Sequence, residues 1–117
     1  MDVVGRILII DDEPRWIEFA KGSLSKFVID IASDAESALA RLEHASYDLI
    51  IASSRRLDVL EVIAKQYPDK NNVLVATVRP TSREAISAYR LGALDYFVKT
   101  FLPGEVEDKV NGVIKKT

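Results

Sequence analysis

Asp11, Asp12 and Glu13 follow one another directly after the apolar run Ile7-Leu8-Ile9-Ile10, and Pro14 comes next. Adjacent carboxylates repel each other and lose hydration when buried, so folding alone gives no reason to set Asp11 beside Asp12. Paired acids at the end of an apolar run suit two tasks, coordinating a hard cation through oxygen ligands and positioning a phosphoryl group. The plainer reading is helix capping, since Asp favours the N-cap and Pro the first turn. One acid is enough for a cap, so the pair favours the cation or phosphoryl reading. Three further apolar runs also end in a polar residue: Ser53 after Leu49-Ile50-Ile51-Ala52, Thr77 after Val73-Leu74-Val75-Ala76, and Lys99 after Tyr96-Phe97-Val98.

The elements that position these residues alternate along the chain. Arg6 to Ile10 has no polar alternation and reads as a strand buried on both faces, the pattern of a central parallel strand. After Pro14, the apolar residues Ile17, Ala20, Leu24 and Phe27 recur at helical spacing. Val28 to Ala32 reads as a second strand, and Ser33-Asp34-Ala35-Glu36 has the serine-to-glutamate spacing of a capping box before a helix with Ala35, Ala38, Leu39 and Leu42 inward. Tyr47 to Ser53 is the third strand, and Arg55 and Arg56 follow it. A helix with Leu57, Leu60, Ile63, Ala64 and Tyr67 inward stops at Pro68, and Asp69-Lys70-Asn71-Asn72 reads as a turn. Val73 to Thr77 is the fourth strand. Thr81-Ser82-Arg83-Glu84 opens a helix with Ala85, Ala88, Tyr89 and Leu91 inward, which Gly92 ends. Leu94 to Lys99 is the fifth strand. The last helix starts near Pro103 and carries Val106, Val110, Val113 and Ile114 as its stripe, ending at Lys115-Lys116-Thr117.

Five strand-then-helix units with short connections predict a single α/β domain over residues 1–117, a parallel sheet with helices on both faces. Right-handed crossovers leave few topologies, and the five-stranded flavodoxin-like order 2-1-3-4-5 is the expected one. In that order the carboxyl ends of strands 1, 3, 4 and 5 converge, bringing Asp11, Asp12, Ser53, Thr77 and Lys99 together. In open α/β sheets this edge is where ligands bind.

Composition narrows the function classes. The chain has 117 residues, 16 Lys+Arg against 18 Asp+Glu and a formal net charge of −2, so no global field favours nucleic acid or an anionic membrane. The absence of cysteine excludes a disulfide scaffold, a thiol nucleophile and a cysteine zinc site. Met1-Asp2-Val3-Val4-Gly5 lacks the basic and apolar regions of a signal peptide, and no apolar run approaches a membrane-spanning length. The expected location is the cytoplasm. A cofactor-binding flavodoxin is disfavoured because no Gly-rich or Ser/Thr-rich phosphate loop follows strand 1, and Asp11-Asp12-Glu13 would repel a phosphate there. His44, at the end of the second helix, suits that negative terminus and reads as a surface residue.

Through the acidic turn, Thr77 and the block Glu84-Ala85-Ile86-Ser87-Ala88-Tyr89-Arg90-Leu91-Gly92-Ala93-Leu94-Asp95-Tyr96-Phe97-Val98-Lys99, the chain resembles the receiver domain of two-component response regulators over its whole length. The resemblance implies the flavodoxin-like, CheY-like fold and a signalling module, not an enzyme. It implies that Asp11 and Asp12 match the magnesium-binding acids, that Thr77 and Lys99 match the residues contacting the phosphoryl oxygens, and that Tyr96 matches the aromatic that changes rotamer on activation. It implies protein partners, namely a histidine kinase, an output domain or a second receiver, meeting the face of the fourth helix, fifth strand and fifth helix. Tyr89 and Tyr96 lie there, and core packing is the simpler reading for Tyr89 more than for Tyr96.

The departures from the family pattern carry equal weight. Ser53 stands where the phosphoacceptor aspartate is expected, and a serine cannot form an acyl phosphate. Its substitution also removes a magnesium ligand, so no cofactor is expected beyond weak magnesium at Asp11 and Asp12. The loop after strand 3 lacks the family's Met-Pro and glycine and is several residues short. Thr100 replaces the proline after Lys99, so the bond between them is expected to be trans, because a cis bond there costs about 2.5–4 kcal/mol against roughly 0.5–1 before proline. The acid pair then needs other compensation, with Lys99 as one cation and Arg55 or Arg56 forking onto a carboxylate as the second. Trp16, just beyond the acids, is a fluorescence reporter for a magnesium titration. Two function classes follow: a phosphorylation-independent binding module, or a working phosphoacceptor that uses a displaced aspartate, Asp11, Asp12 or Asp58.

Overall fold

The computed structural model describes residues 5–68 and 72–114. Its strands are β1 (Arg6–Ile10), β2 (Val28–Ala32), β3 (Leu49–Ser53), β4 (Val73–Thr77) and β5 (Asp95–Val98), and its helices α1 (Pro14–Ser23), α2 (Ala35–His44), α3 (Leu57–Gln66), α4 (Ser82–Arg90) and α5 (Glu105–Ile114). All strand pairs are parallel, in the order β2-β1-β3-β4-β5 expected from the sequence. Because side chains alternate across a strand, each continuous apolar run supplies two cores. Ile7, Ile9, Leu49, Ile51, Leu74 and Ala76 face one way, onto Trp16, Ala20 and Leu24 of the α1 region and Val106 and Val110 of α5. Leu8, Ile10, Ile50, Ala52 and Val75 face the other, onto Ala38, Val59, Leu60, Ile63 and Ala88 of α2, α3 and α4. Burying each such Leu, Ile or Val fully contributes about 1.5–3 kcal/mol.

Local details differ from expectation in instructive ways. The cap of α2 is one residue later than the spacing suggests. Asp34 Oδ1 accepts from the Ser37 amide at 2.8 Å, and the Ser37 hydroxyl accepts from the Asp34 amide at 3.3 Å. A serine returns to the N-cap as well as a glutamate does, and the Ser37 hydroxyl also accepts from the Ser33 amide at 3.2 Å, so only the Ser33 side chain and Glu36 are left out. In α3, Val59 is buried and Ala64 exposed, while Tyr67 is the residue that caps the helix. In α4 the inward residue is Ala88, and Tyr89 is 50% exposed, its hydroxyl 3.5 Å from Asp95 on the outer side. Tyr96, not Tyr89, packs partly buried against the core. Gly92, at φ +97, turns the chain after α4, a conformation in which any other residue is strained. His44 ends α2, with Nδ1 2.8 Å from the Ala40 carbonyl. Asp69-Lys70-Asn71 of the expected turn and Lys115-Lys116-Thr117 of the expected tail lie outside the described residues. No described helix is long and apolar enough to cross a membrane.

Beside the outer strand β2, Asp30 gathers a polar cluster. It accepts from the Tyr47 hydroxyl at 2.5 Å, with Arg6 at 3.4 Å and Arg41 at 3.7 Å. Burial, then the hydrogen bond to the Asp30 carboxylate, pushes the Tyr47 phenol up to about 12 from 10.0. An unfolded chain therefore releases this proton first as pH rises. Stability from this group is complete below pH 10 and declines from there to about 12. Tyr47→Phe should cost about 1 kcal/mol in urea unfolding at pH 7 and flatten the decline above pH 10. A variant that loses stability above pH 10 as steeply as the parent would contradict this.

Candidate functional site

Strand register alone assembles the site. Ile10 of β1 pairs with Ala52 of β3, so Asp11 and Ser53 are each the next residue out. Ser53 in turn pairs with Ala76 of β4, and the following pair is Thr77 with Val98 of β5, after which Lys99 emerges. Continuous apolar strands thus carry four polar residues to one edge of the sheet. All four are secluded: Asp11 is 1%, Ser53 2% and Thr77 2% exposed, and the Lys99 side chain 3%.

Lys99 is the centre of this edge. Its Nζ lies 2.8 Å from Asp11 Oδ2 and donates a hydrogen bond to Glu13 Oε1 at 2.7 Å. Asp11 Oδ2 makes no hydrogen bond of its own, so charge attraction is what compensates it. The other Asp11 oxygen, Oδ1, accepts from the Asp12 and Glu13 amides at 2.8 and 3.1 Å. Asp11 therefore closes its own acidic turn and does not cap α1, whose N-cap residue is Glu13, its side chain turned to Lys99 and making no capping bond. Lys99 reaches the pocket across a trans bond to Thr100, since no cis peptide occurs among the described residues. Its amide donates to the Thr77 carbonyl at 2.7 Å. Trp16 backs the ammonium, with Nζ 5.3 Å from the ring centroid and indole N–H donating to the Thr100 carbonyl at 3.3 Å.

Arg56 supplies the second cation. The expected loop after β3 is only a 3₁₀ turn, Ser54–Arg56, leading straight into α3. From it, Arg56 Nη2 stands 3.5 Å from Asp12 Oδ2 and Nη1 3.8 Å from Asp58 Oδ2. The guanidinium spans two carboxylates in place of the expected fork onto one. Arg55 is exposed, and its amide donates to Ser53 Oγ at 3.2 Å. Asp58 is 69% exposed at its side chain, at the start of α3.

A second network lies beside the first. Thr77 Oγ1 accepts from the Ser54 hydroxyl at 3.0 Å and donates to Glu84 Oε1 at 2.9 Å, and Tyr96 donates to the same Glu84 oxygen at 2.6 Å. Sequence reasoning brings Asp11, Asp12, Ser53, Thr77, Lys99, Tyr96 and the arginine pair to this region. It misses Glu13, Ser54 and Glu84. Glu13 was legible as a third acid in the same run, and Glu84 as the acid of the Thr81 cap. Thr81 does cap α4, accepting from the Glu84 amide at 3.1 Å, but the Glu84 carboxylate turns inward.

Comparison with known proteins gives a consistent picture. The family model for the response regulator receiver domain matches residues 7–111. The alkaline phosphatase synthesis transcriptional regulatory protein PhoP of Bacillus subtilis (strain 168) is 30% identical over 96% of this chain and 49% of its own length. The transcriptional regulatory protein QseB of Haemophilus influenzae is 30% identical over 95% of this chain and 53% of its own length. The chain thus spans about half the length of these curated relatives. A response regulator from Thermotoga maritima superposes with a TM-score of 0.86 at 21% identity, covering 97% of this chain and 99% of that one, a likeness of fold.

The buried ammonium yields a stability prediction. Lys99→Met removes one partner and strands the Asp11 carboxylate, which should cost about 3–5 kcal/mol in urea unfolding at neutral pH. Adding Asp11→Asn to Lys99→Met should recover part of that loss. A Lys99→Met protein as stable as the parent would show that the pair is not what compensates Asp11.

Proposed function

This chain belongs to the response regulator receiver domain family, and from that premise we propose that it is a two-component signalling module that acts without accepting a phosphoryl group. The observation that carries the reading is Ser53, 2% exposed at the end of β3, in register with the acid turn at the place where the resemblance expects the acceptor aspartate. A serine oxygen would need a base to attack phosphorus. Ser53 Oγ instead accepts from the Arg55 amide.

The pocket's charges support the same reading. Magnesium asks for an octahedral set of oxygens and gives up its own water reluctantly. Here Asp11 and Asp12 each face a cation of the chain itself, Lys99 and Arg56. Among the described residues no group of three or more His, Cys, Asp or Glu side chains could hold a metal ion. Magnesium at Asp11 and Asp12 would have to compete with both of these cations, which supports weak binding at most. Ammonium and guanidinium stand where the metal's charge would otherwise be needed.

In this reading signalling runs through protein contact. Ile86, Tyr89, Leu94 and Val98 are exposed apolar residues on or beside α4 and β5. The partner is a histidine kinase, an output domain or a second receiver, and the setting is cytoplasmic. The displaced-acceptor reading has less behind it, because Asp11 is engaged by Lys99 and by two amides of its own turn, and Asp58 lies out on α3.

Incubation with acetyl phosphate and magnesium, followed by intact mass measurement, should leave the parent protein unmodified. A phosphoryl adduct mapped to Asp11, Asp12 or Asp58 would overturn the proposal in favour of the displaced acceptor.

A further inference from the structure

Glu84 sits in the first turn of α4, where a glutamate ordinarily turns back to the N-cap amide. Its carboxylate takes a different path. Oε1 accepts from Thr77 Oγ1 of β4 at 2.9 Å and from the Tyr96 hydroxyl of β5 at 2.6 Å. The Tyr96 oxygen accepts in turn from the Thr81 amide at the head of α4, at 3.1 Å. Thr77 Oγ1 also accepts from Ser54 at 3.0 Å and from the Arg79 amide at 3.2 Å. One carboxylate oxygen therefore ties together the turn after β3, the end of β4, the start of α4 and β5. Hydrogen bonds to an ionised acceptor are shorter and stronger than neutral ones, and a partly buried network with every hydroxyl satisfied resists local opening.

Apolar packing gives α4 little else to rest on. Ala88 is its one buried residue, while Ile86 and Tyr89 are about half exposed, at 51% and 50%. A helix with so small an apolar footing is positioned by its polar contacts. The Thr77 hydroxyl has one proton, and it is spent on Glu84 at closer range than on its other acceptor, the Arg79 carbonyl at 3.2 Å.

We infer that Glu84 is a built-in latch: through the two hydrogen bonds its Oε1 accepts from Thr77 and Tyr96, it fixes α4 and the inward Tyr96 ring in one arrangement with no phosphoryl group required. The inference rests on the reading of the chain as a phosphorylation-independent module and names how its partner face is held ready. Glu84 is a positioning residue in this scheme, acting on α4 through Thr77 and Tyr96.

Amide hydrogen exchange and the titration of the Tyr96 phenol test it on the whole chain. In the parent that phenol is pushed up, first by burial and then by the bond to Glu84. Glu84→Ala should speed exchange across Ser82–Arg90 by on the order of tenfold, leave Ile7–Ile10 and Leu49–Ala52 as in the parent, and bring the Tyr96 titration down toward that of an ordinary tyrosine. Tyr96→Phe removes one of the two bonds without touching the carboxylate, and should speed α4 exchange by a smaller factor; it decides the matter if Glu84→Ala fails to fold. Exchange in α4 unchanged in either folded variant overturns the latch. Acetyl phosphate treatment of the parent separates the two readings: an adduct there removes the phosphorylation-independent function, and the exchange data still decide the latch on their own.

Discussion

A lysine ammonium enclosed between two carboxylates governs the carboxyl edge of this sheet, with Lys99 Nζ 2.8 Å from Asp11 and 2.7 Å from Glu13. A charge so secluded is tolerated only when compensated, because its lost hydration otherwise costs several kcal/mol. Much of the local architecture answers that requirement. The Asp12 and Glu13 amides are folded onto Asp11, the Trp16 ring backs the ammonium, and the trans backbone at Thr100 delivers the lysine with its carbonyl tied to Trp16. The shortened turn after β3 brings Arg56 to Asp12 on the rim. Asp11 and Asp12 are thereby each set against a cation of the chain itself.

The two polar networks on this edge divide the work. Lys99 and Arg56 deal with the acids of the β1 turn, and Glu84 collects the hydroxyls of Thr77 and Tyr96. They meet through the backbone, where the Lys99 amide donates to the Thr77 carbonyl at 2.7 Å. In the receiver family to which the chain belongs, the resemblance assigns this edge to phosphoryl chemistry and the α4 side to partner contact. In the present chain the Thr77–Glu84 hydrogen bond joins the sheet edge to the start of α4.

The fold was legible because its strands announce themselves. Ile7 to Ile10, Leu49 to Ala52 and Val73 to Ala76 are apolar at every position, a pattern that only a strand buried on both faces needs. The residues terminating those runs then had to share one edge, whatever their chemistry. What the sequence left open was pairing among charges and hydroxyls. Nothing in the spacing says that Lys99 takes Glu13 as well as Asp11, that Arg56 and not Arg55 reaches Asp12, or that Glu84 abandons its cap for the interior. Those choices depend on turn geometry and side-chain rotamers a few ångströms across. The exchanged positions of Tyr89 and Tyr96 have the same origin: helical spacing puts Tyr89 next to the inward Ala88, but only the packed structure shows that the small alanine fills the space and the ring stays outside.

The claim that the acid pocket is compensated by its own cations is tested most directly by magnesium titration, observed at the backbone amides of Asp11, Asp12 and Glu13 by nitrogen-proton correlation NMR. Compensation by Lys99 and Arg56 predicts small, non-saturating shifts through millimolar magnesium, indistinguishable from those of exposed acids elsewhere such as Glu61. A saturable shift confined to those three amides, complete below millimolar metal, would contradict it.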